Sequence, residues 1–588
     1  MFVIALLIIQ YFYVTTKVIK LQSFYEYIPK ASLYGIDLLS SFLAFFTFIY
    51  MAEVVIKKNW LKTSIYCLVS LLTGFLYAYF RKTGVPLDPV IIIDNFDLVG
   101  KSGSDSVIGS FFDNKFIEKT LTYPVLILVF SFFRKSKNLF SPKKLKISYL
   151  LIVVVVLTLI NRHPVYPVFS FLKDSVNSVT KMGKGVSNAV TPPINYNLDT
   201  KKYELNKYNI IVLMLESFNA TYINEKTENG AEITPVMNSL FKQNPSSTFH
   251  FSNSIQTVKG QFSLLCGLYP LNIGKASYSL DGKKLNCLPK VLSKIGYKSL
   301  FYKSYTDDSF DNTKVFFKDV GFDNVENPKT LGIDQSIMNS ESLAWGLKDS
   351  ASYKIFINEI EKNYNRKAPF LAVMTTLSHH MPFKLPKKYR FLFPNENGRE
   401  QSFLNSLHLS DKYLKTFINE FENSPFKENT IVVITGDHSF PNGRNGSFFN
   451  EKGASEDNFK VPFVLMLPKE LKDKFSIKKH STSHVDVMVS LFNLVGIKQN
   501  EFAHGSSIFE NRKDPLVLVQ PYNGEAIKII SEDKKYIWFS KNNILLKGKL
   551  DNDSSPYFFV KDGNSFVEKT VQSYYQKVNY LLKNYSLD

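Results

Sequence analysis

The sequence predicts two unlike parts: an N-terminal α-helical membrane bundle of about five spans, then an α/β domain whose mostly parallel sheet is covered by helices on both faces. Three observations carry this. Mean hydropathy is −0.08 over 588 residues, an average that fits neither a soluble chain nor a wholly embedded one. The long apolar runs all lie before residue 162. After residue 206, short continuous apolar runs alternate with helical periods, the pattern of strands buried on both faces and linked by helices. Composition narrows the classes further. Three cysteines are too few for a disulfide scaffold or a Cys-rich zinc site. The net charge of +19 raises nucleic acid as a partner, but no polynucleotide-binding motif accompanies it. The lysines are mostly spread singly, which suits a surface near anionic lipid.

The five apolar segments fall at 2–20, 33–56, 60–80, 120–134 and 147–161. The first has no basic n-region and no small-residue cleavage site, so it reads as a retained anchor. Lys57 and Lys58 follow the second segment, and Arg134, Lys135, Lys137, Lys143, Lys144 and Lys146 follow the fourth. If these basic loops are cytoplasmic, everything after Ile160 lies outside. Lys17, Lys20, Arg81 and Lys82 do not all fit one side. The expected organisation is a transmembrane domain (1–161), a juxtamembrane linker (162–205), an extracytoplasmic domain (206–530) and a C-terminal extension (531–588). Pro164, Pro167, Pro192 and Pro193 mark the linker, with a surface helix over 168–182.

In the second part NIIVLML (209–215), KSLFY (298–302), FLAVM (370–374), TIVVIT (430–435) and PFVLML (462–467) read as strands. Residues 288–295, 350–364, 402–422 and 485–495 read as helices. Ligands of such sheets sit at the carboxyl ends of the strands. The first strand ends at Glu216, the fourth at Asp437 and His438, and the third runs on to His379 and His380. Taken singly, a Glu after a strand is more often a charge at a helix N-terminus, and an Asp-His pair is more often surface loop. Together they suit a metal site of mixed oxygen and nitrogen ligands.

The ordered motifs LMLESF (213–218), QTVKGQFSLLCGLYPL (256–271), SHHMPF (378–383) and TGDHSF (435–440) resemble those of the lipoteichoic acid synthase/phosphoglycerol transferase family. That family has a sulfatase-type domain and belongs to the alkaline-phosphatase superfamily. Weaker echoes are WGLKD (345–349), SLHLSD (406–411), HVDVMVSLFNLVGI (484–497) and HGSSIF (504–509). The resemblance implies Thr257 as nucleophile, with Glu216, Thr257, Asp437 and His438 holding one divalent metal, Mn²⁺ before Mg²⁺ or Zn²⁺. It places His380 at the substrate. His379 stands where the family has Asn and reads as a group behind the ligands, as does His484, whose alternatives are a second metal and a helix cap. On the bare sequence Thr257 would be a structural loop hydroxyl. A metal answers the chemistry, because coordination lets a poor hydroxyl nucleophile attack phosphorus.

One departure stands out. The family's Trp-x-Arg signature is missing, and SFDNTKVF (309–316) has Asp311 and Thr313 at those places. No guanidinium fork is left to grip a phosphate. Lys303 or Lys314 could supply charge without the fork. Asp311 either faces the head group or caps the next helical turn. Cys266 and Cys287 are either two buried thiols or a bridge, and an oxidising compartment favours the bridge.

The function implied is transfer of a phospholipid head group, phosphoglycerol first, onto a glycan or glycolipid of the bacterial envelope, from a multi-pass protein of the cytoplasmic membrane. Its rivals are phosphoethanolamine transfer, hydrolysis and a non-catalytic glycan-binding role. No Cys/Ser-x-Pro-x-Arg follows the first strand, which counts against sulfate-ester hydrolysis.

Overall fold

The computed structural model describes residues 2–23, 32–83, 87, 114–132, 168, 171, 172, 175 and 208–587, apart from 273, 309, 344–345, 364–367, 382, 441–457, 479, 498–502, 513, 521–525, 540–543, 551–557 and 560–564. Two compact units emerge, Met1–Ile93 with Val107–Gly185, and Asp94–Ser106 with Val186–Asp588.

The first unit contains α1 (Phe2–Ser23), α2 (Ser32–Val55), α3 (Asn59–Thr83) and α4 (Asn114–Phe132). Among the described residues, Asn59–Tyr79 is long and apolar enough to cross a membrane, while Val3–Thr16 and Phe42–Val55 are shorter apolar stretches. The expected fourth segment begins earlier than residue 120, because α4 takes in Phe116 and Ile117. The fifth, 147–161, lies outside the described residues, as does the 168–182 helix apart from four helical positions. α3 and α4 touch at Gly74, where a Cβ would meet Thr120 O at 2.7 Å. Charge inside this unit is matched: Lys62 Nζ donates to Glu53 Oε2 at 2.9 Å and Tyr66 donates to Glu53 Oε1 at 2.8 Å.

The second unit is built on an eight-stranded sheet of β1 (Asn209–Leu215), β2 (Ser246–Phe251), β3 (Lys298–Lys303), β4 (Asn324–Glu326), β5 (Phe370–Thr375), β6 (Thr430–Gly436), β7 (Lys460–Met466) and β8 (Thr482–Ser483). The spatial order is β8-β2-β7-β6-β1-β5-β3-β4. β1 runs parallel to both β5 and β6. β7 is antiparallel to its neighbours β2 and β6, so the sheet is mixed. Every residue of β1 is buried. Ile210, Val212 and Met214 enter one core, and Ile211, Leu213 and Leu215 enter the other, as strand alternation requires.

Helices cover both faces. α5 (Pro235–Gln243), α9 (Asp349–Asn363) and α10 (Arg399–Glu422) fill one core with residues such as Met237, Phe356 and Phe403. α6 (Thr257–Cys266), α7 (Leu288–Ser293) and α11 (His484–Leu494) fill the other, and α8 (Thr313–Asp319) joins them through Phe316 and Phe317.

A second, antiparallel sheet follows: β9 (Leu516–Gln520), β10 (Ala526–Ser531), β11 (Lys534–Phe539), β12 (Ile544–Lys549) and β13 (Phe558–Phe559). Its alternating strands send Val517, Ile527 and Ile529 into the core shared with α6. The expected boundary at 530/531 falls inside β10. α12 (Ser565–Tyr585) closes over the segment behind α6. Tyr574 donates to Pro270 O at 3.0 Å, Asp281 N donates to Tyr585 O at 2.6 Å, and Leu280 bridges Ser586.

Candidate metal and nucleophile site

Parallel packing of β1, β5 and β6 puts their carboxyl ends side by side. β1 delivers Glu216, β6 delivers Asp437 and His438, and one ligand atom from each lies within 4.8 Å of the others. α6 brings Thr257 from the opposite side as its first residue, with Oγ1 3.3 Å from His438 Nε2. The helix's positive end lies at this residue, an arrangement that favours a phosphate. α6 can come so close because residue 260 is Gly: a Cβ there would stand 1.9 Å from Asp437 O. Gln261 Nε2 then ties the helix to Thr375 Oγ1 at the end of β5, at 2.9 Å.

The hydrogen bonds leave ligand atoms facing inward. Asp437 Oδ1 accepts from Ser217 N at 2.9 Å and His438 N at 2.7 Å, while the buried Oδ2 makes no hydrogen bond and lies 3.7 Å from His438 Nε2. His438 Nδ1 lies 2.9 Å from Ser439 O, which assigns the N–H to Nδ1 and points Nε2 at Thr257 and at Glu216 Oε1, 3.4 Å away. Ser217 donates to Glu216 Oε1 at 2.7 Å and adopts a left-handed φ of 53° to do so.

Electrostatics agree. Burial pushes Asp437 up, and the Glu216 charge beside it adds to the push. Burial also opposes ionisation of Glu216, but His380 and His438 outweigh it and hold the carboxyl low. Burial works against the His438 cation, and Asp437 and Glu216 override it, raising the imidazole to about 9. Two buried carboxylates that need a cation, with an orphaned oxygen between them, are a donor set fitted to a divalent metal.

The remaining expected residues fall around this centre. His380 is half-buried, and its Nδ1 is 2.7 Å from Met381 O. His379 packs among Phe383 and Phe403, with Nδ1 3.0 Å from Ser406 Oγ, and burial lowers it to about 3. His484 contacts Gly436 O through Nε2 at 2.9 Å, behind the ligand strand. At the start of its helix Asp486 Oδ2 accepts from Ser483 N at 2.6 Å.

Lys303 is fully buried, donating to Asp307 O at 2.8 Å and Thr313 Oγ1 at 3.3 Å. Burial drops it to about 8 against the pull of Asp308 and Asp307. Lys314 pairs with Asp308 at 2.9 Å. Asp311 does not cap the turn: Asn312 holds the cap position of α8, and the Asp311 carboxylate pairs with Lys275 at 2.6 Å. Cys266 and Cys287 form a disulfide, tying the end of α6 to the start of α7.

Sequence reasoning missed three supports. Lys275 has a partner too distant in the chain to read. Asp349, inside the WGLKD echo, accepts from Leu377 N at 2.8 Å and Ser378 N at 3.0 Å and so holds the loop of His379 and His380. Asp411, inside SLHLSD, accepts from Val236 N and Met237 N at 2.8 Å each. Three further histidines have partners far off in the chain: His504 Nδ1 accepts from Tyr269 N at 2.9 Å, His408 Nδ1 meets Ile233 O at 2.9 Å and His250 Nδ1 meets Thr482 Oγ1 at 2.9 Å.

Residues 208–497 match the family described as Sulfatase. The chain is 26% identical over 346 residues to a lipoteichoic acid synthase-like protein of Bacillus subtilis, covering 56% of this chain and 54% of that protein. It is 29% identical over 364 residues to a lipoteichoic acid synthase of Staphylococcus aureus, covering 58% and 53%. The chain thus spans about half the length of these curated relatives. The solved lipoteichoic acid synthase LtaP of Listeria monocytogenes gives a TM-score of 0.54 at 20% identity over 67% of this chain and 97% of its own. An alkaline-phosphatase superfamily protein of Vibrio parahaemolyticus gives 0.54 at 17% over 69% and 94%. Both likenesses speak to the fold.

Proposed function

We propose, from the premise that this chain is a lipoteichoic acid synthase-like member of the alkaline-phosphatase superfamily, that it transfers phosphoglycerol from a membrane phospholipid to an envelope glycan or glycolipid. It would do so from the bacterial cytoplasmic membrane, with the catalytic unit outside. The observation that carries this reading is the Thr257 hydroxyl held 3.3 Å from His438 Nε2 beside the buried Glu216–Asp437–His438 cluster.

Glu216, Asp437, His438 and Thr257 would hold one divalent cation, Mn²⁺ before Mg²⁺ or Zn²⁺ given the oxygen-rich set. Bound there, it supplies positive charge that makes the Thr257 hydroxyl easier to ionise and offsets phosphoryl charge. The chain's own groups do the rest. Thr257 Oγ1 forms the bond to phosphorus as the bond to the diacylglycerol oxygen breaks, and diacylglycerol departs with a proton. The acceptor hydroxyl then attacks the phospho-Thr257 ester, loses its proton and restores the threonine. His380 contacts the substrate phosphoryl group, while Asp349 fixes the loop that carries it.

Phosphoglycerol is favoured over phosphoethanolamine by one contact. An ammonium head group needs an available carboxylate, and that of Asp311 is already paired with Lys275. The test is to incubate the full-length protein with head-group-labelled phosphatidylglycerol and look for label on Thr257 by mass spectrometry. Label elsewhere, or release of free glycerol phosphate without an adduct, would end this reading.

A further inference from the structure

The loop after SHHMPF presents a face that neither the fold nor the reaction uses. Lys384, Lys387 and Lys388 are exposed, and the Phe391 ring is 44% exposed. Exposed Lys412 of α10 stands 3.9 Å from the centre of that ring. Residues 384–400 hold five basic residues against Glu396 and Glu400, and Glu396 is taken by Arg390 at 3.3 Å. Among the described residues, none of Lys384, Lys387, Lys388 and Lys412 pairs with a carboxylate.

The loop is built, not slack. Asn405 Oδ1 accepts from Leu392 N and Phe393 N at 3.0 Å each, and its Nδ2 donates to Phe393 O at 2.9 Å. Arg390 Nε donates to Leu385 O at 2.8 Å, and Leu385 and Leu392 are buried. Phe391 is therefore held outward while its neighbours anchor the turn. An exposed ring with the Lys412 ammonium 3.9 Å from its centre, in a segment of further exposed lysines, matches the boundary of an anionic bilayer, where phosphates meet the lysines and the ring enters the acyl margin. A sugar would stack on the open face of the ring, and Lys412 already covers a face.

We propose that Lys384, Lys387, Lys388, Phe391 and Lys412 form a docking face for an anionic phospholipid surface. It would present the segment of His380, four residues before Lys384, to the lipid. The proposal rests on the reading of a lipid donor, but not on the transfer chemistry.

The test uses the full chain carrying Cys67→Ser and Phe391→Cys, labelled with bimane; Cys266 and Cys287 are buried in their disulfide and do not react. The labelled protein is placed in phosphatidylcholine nanodiscs with or without phosphatidylglycerol, each containing a head-group nitroxide lipid. Quenching should be at least about threefold stronger with phosphatidylglycerol, and lost in molar salt or on Lys384→Glu, Lys387→Glu and Lys388→Glu together. Equal quenching in both discs, or none, would overturn the proposal. A response to soluble glycan but not to phosphatidylglycerol would overturn it in favour of an acceptor site. Quenching should persist in a Thr257→Ala background, so failure of the transfer reading and failure of this one are separable.

Discussion

Asp437 Oδ2 is a buried oxygen with no hydrogen bond, its nearest cation His438 Nε2 at 3.7 Å, and such an atom is costly unless a closer cation completes it. Asp437→Asn and Glu216→Gln should each lower metal affinity and activity together, read by calorimetric titration with Mn²⁺ alongside a transfer assay. Activity of chelator-treated protein that no divalent cation changes would remove the metal from the mechanism. Thr257→Ala should abolish transfer with secondary structure retained and metal binding largely kept, since three ligands remain; near-normal turnover would unseat Thr257. Asp311→Ala tests the pocket. With buried Lys275 deprived of the carboxylate 2.6 Å away, we expect a destabilisation of up to about 3–5 kcal/mol and equal losses on phosphatidylglycerol and phosphatidylethanolamine. A changed ratio between the two donors would instead show that Asp311 reads the head group. Glu216, Asp437 and His438 were legible as candidates because each follows a strand that the hydropathy marks, whereas Thr257, at the start of α6, came only from the resemblance. The Lys275–Asp311 pair was not, since 36 residues separate its members and no local pattern encodes which lysine meets which aspartate.

Strand existence followed from apolar runs, and β1 matches its expected span residue for residue. Direction followed in the main, β1 running parallel to both β5 and β6 as a mostly parallel sheet requires, but not at β7. The run at 460–466 is buried like its neighbours, and periodicity carries no sign for parallel or antiparallel pairing. The second sheet was not legible, because AIKIIS and KKYIWF (526–531 and 534–539) are short and lack a strict polar–apolar alternation. α6 is the element on which geometry depends most. Gly260→Ala puts a methyl against Asp437 O, so α6 must retreat from β6 and carry Thr257 away from His438. Activity should fall by at least about a hundredfold with circular dichroism unchanged; wild-type rates would mean that the contact is slack. Cys287→Ser opens the loop closed by two cysteines 21 positions apart and should cost about 3 kcal/mol, seen as a lower urea midpoint for loss of activity. An unchanged midpoint would make the bridge incidental.

At the scale of the whole chain, the proposed transfer to an envelope acceptor requires the catalytic unit to lie outside the membrane. A reporter fused after Asp588 should read outside and one inserted near Asn138 inside, by alkaline phosphatase and fluorescent-protein fusions. The opposite pair would place the catalytic unit in the cytoplasm and end the envelope reading. Distance along the chain has a further effect on how the protein comes to be made. Tyr574, which backs Pro270, lies 304 residues after it, whereas Cys266 and Cys287 are 21 apart. In a polypeptide threaded outward from its amino-terminal side, the thiols can pair long before α12 arrives. Until then Leu268, Tyr269 and Leu271 have no cover from that helix. Oxidation thus comes early in biogenesis and burial late, and the interval between them is when a half-exported chain would be open to chaperones and proteases.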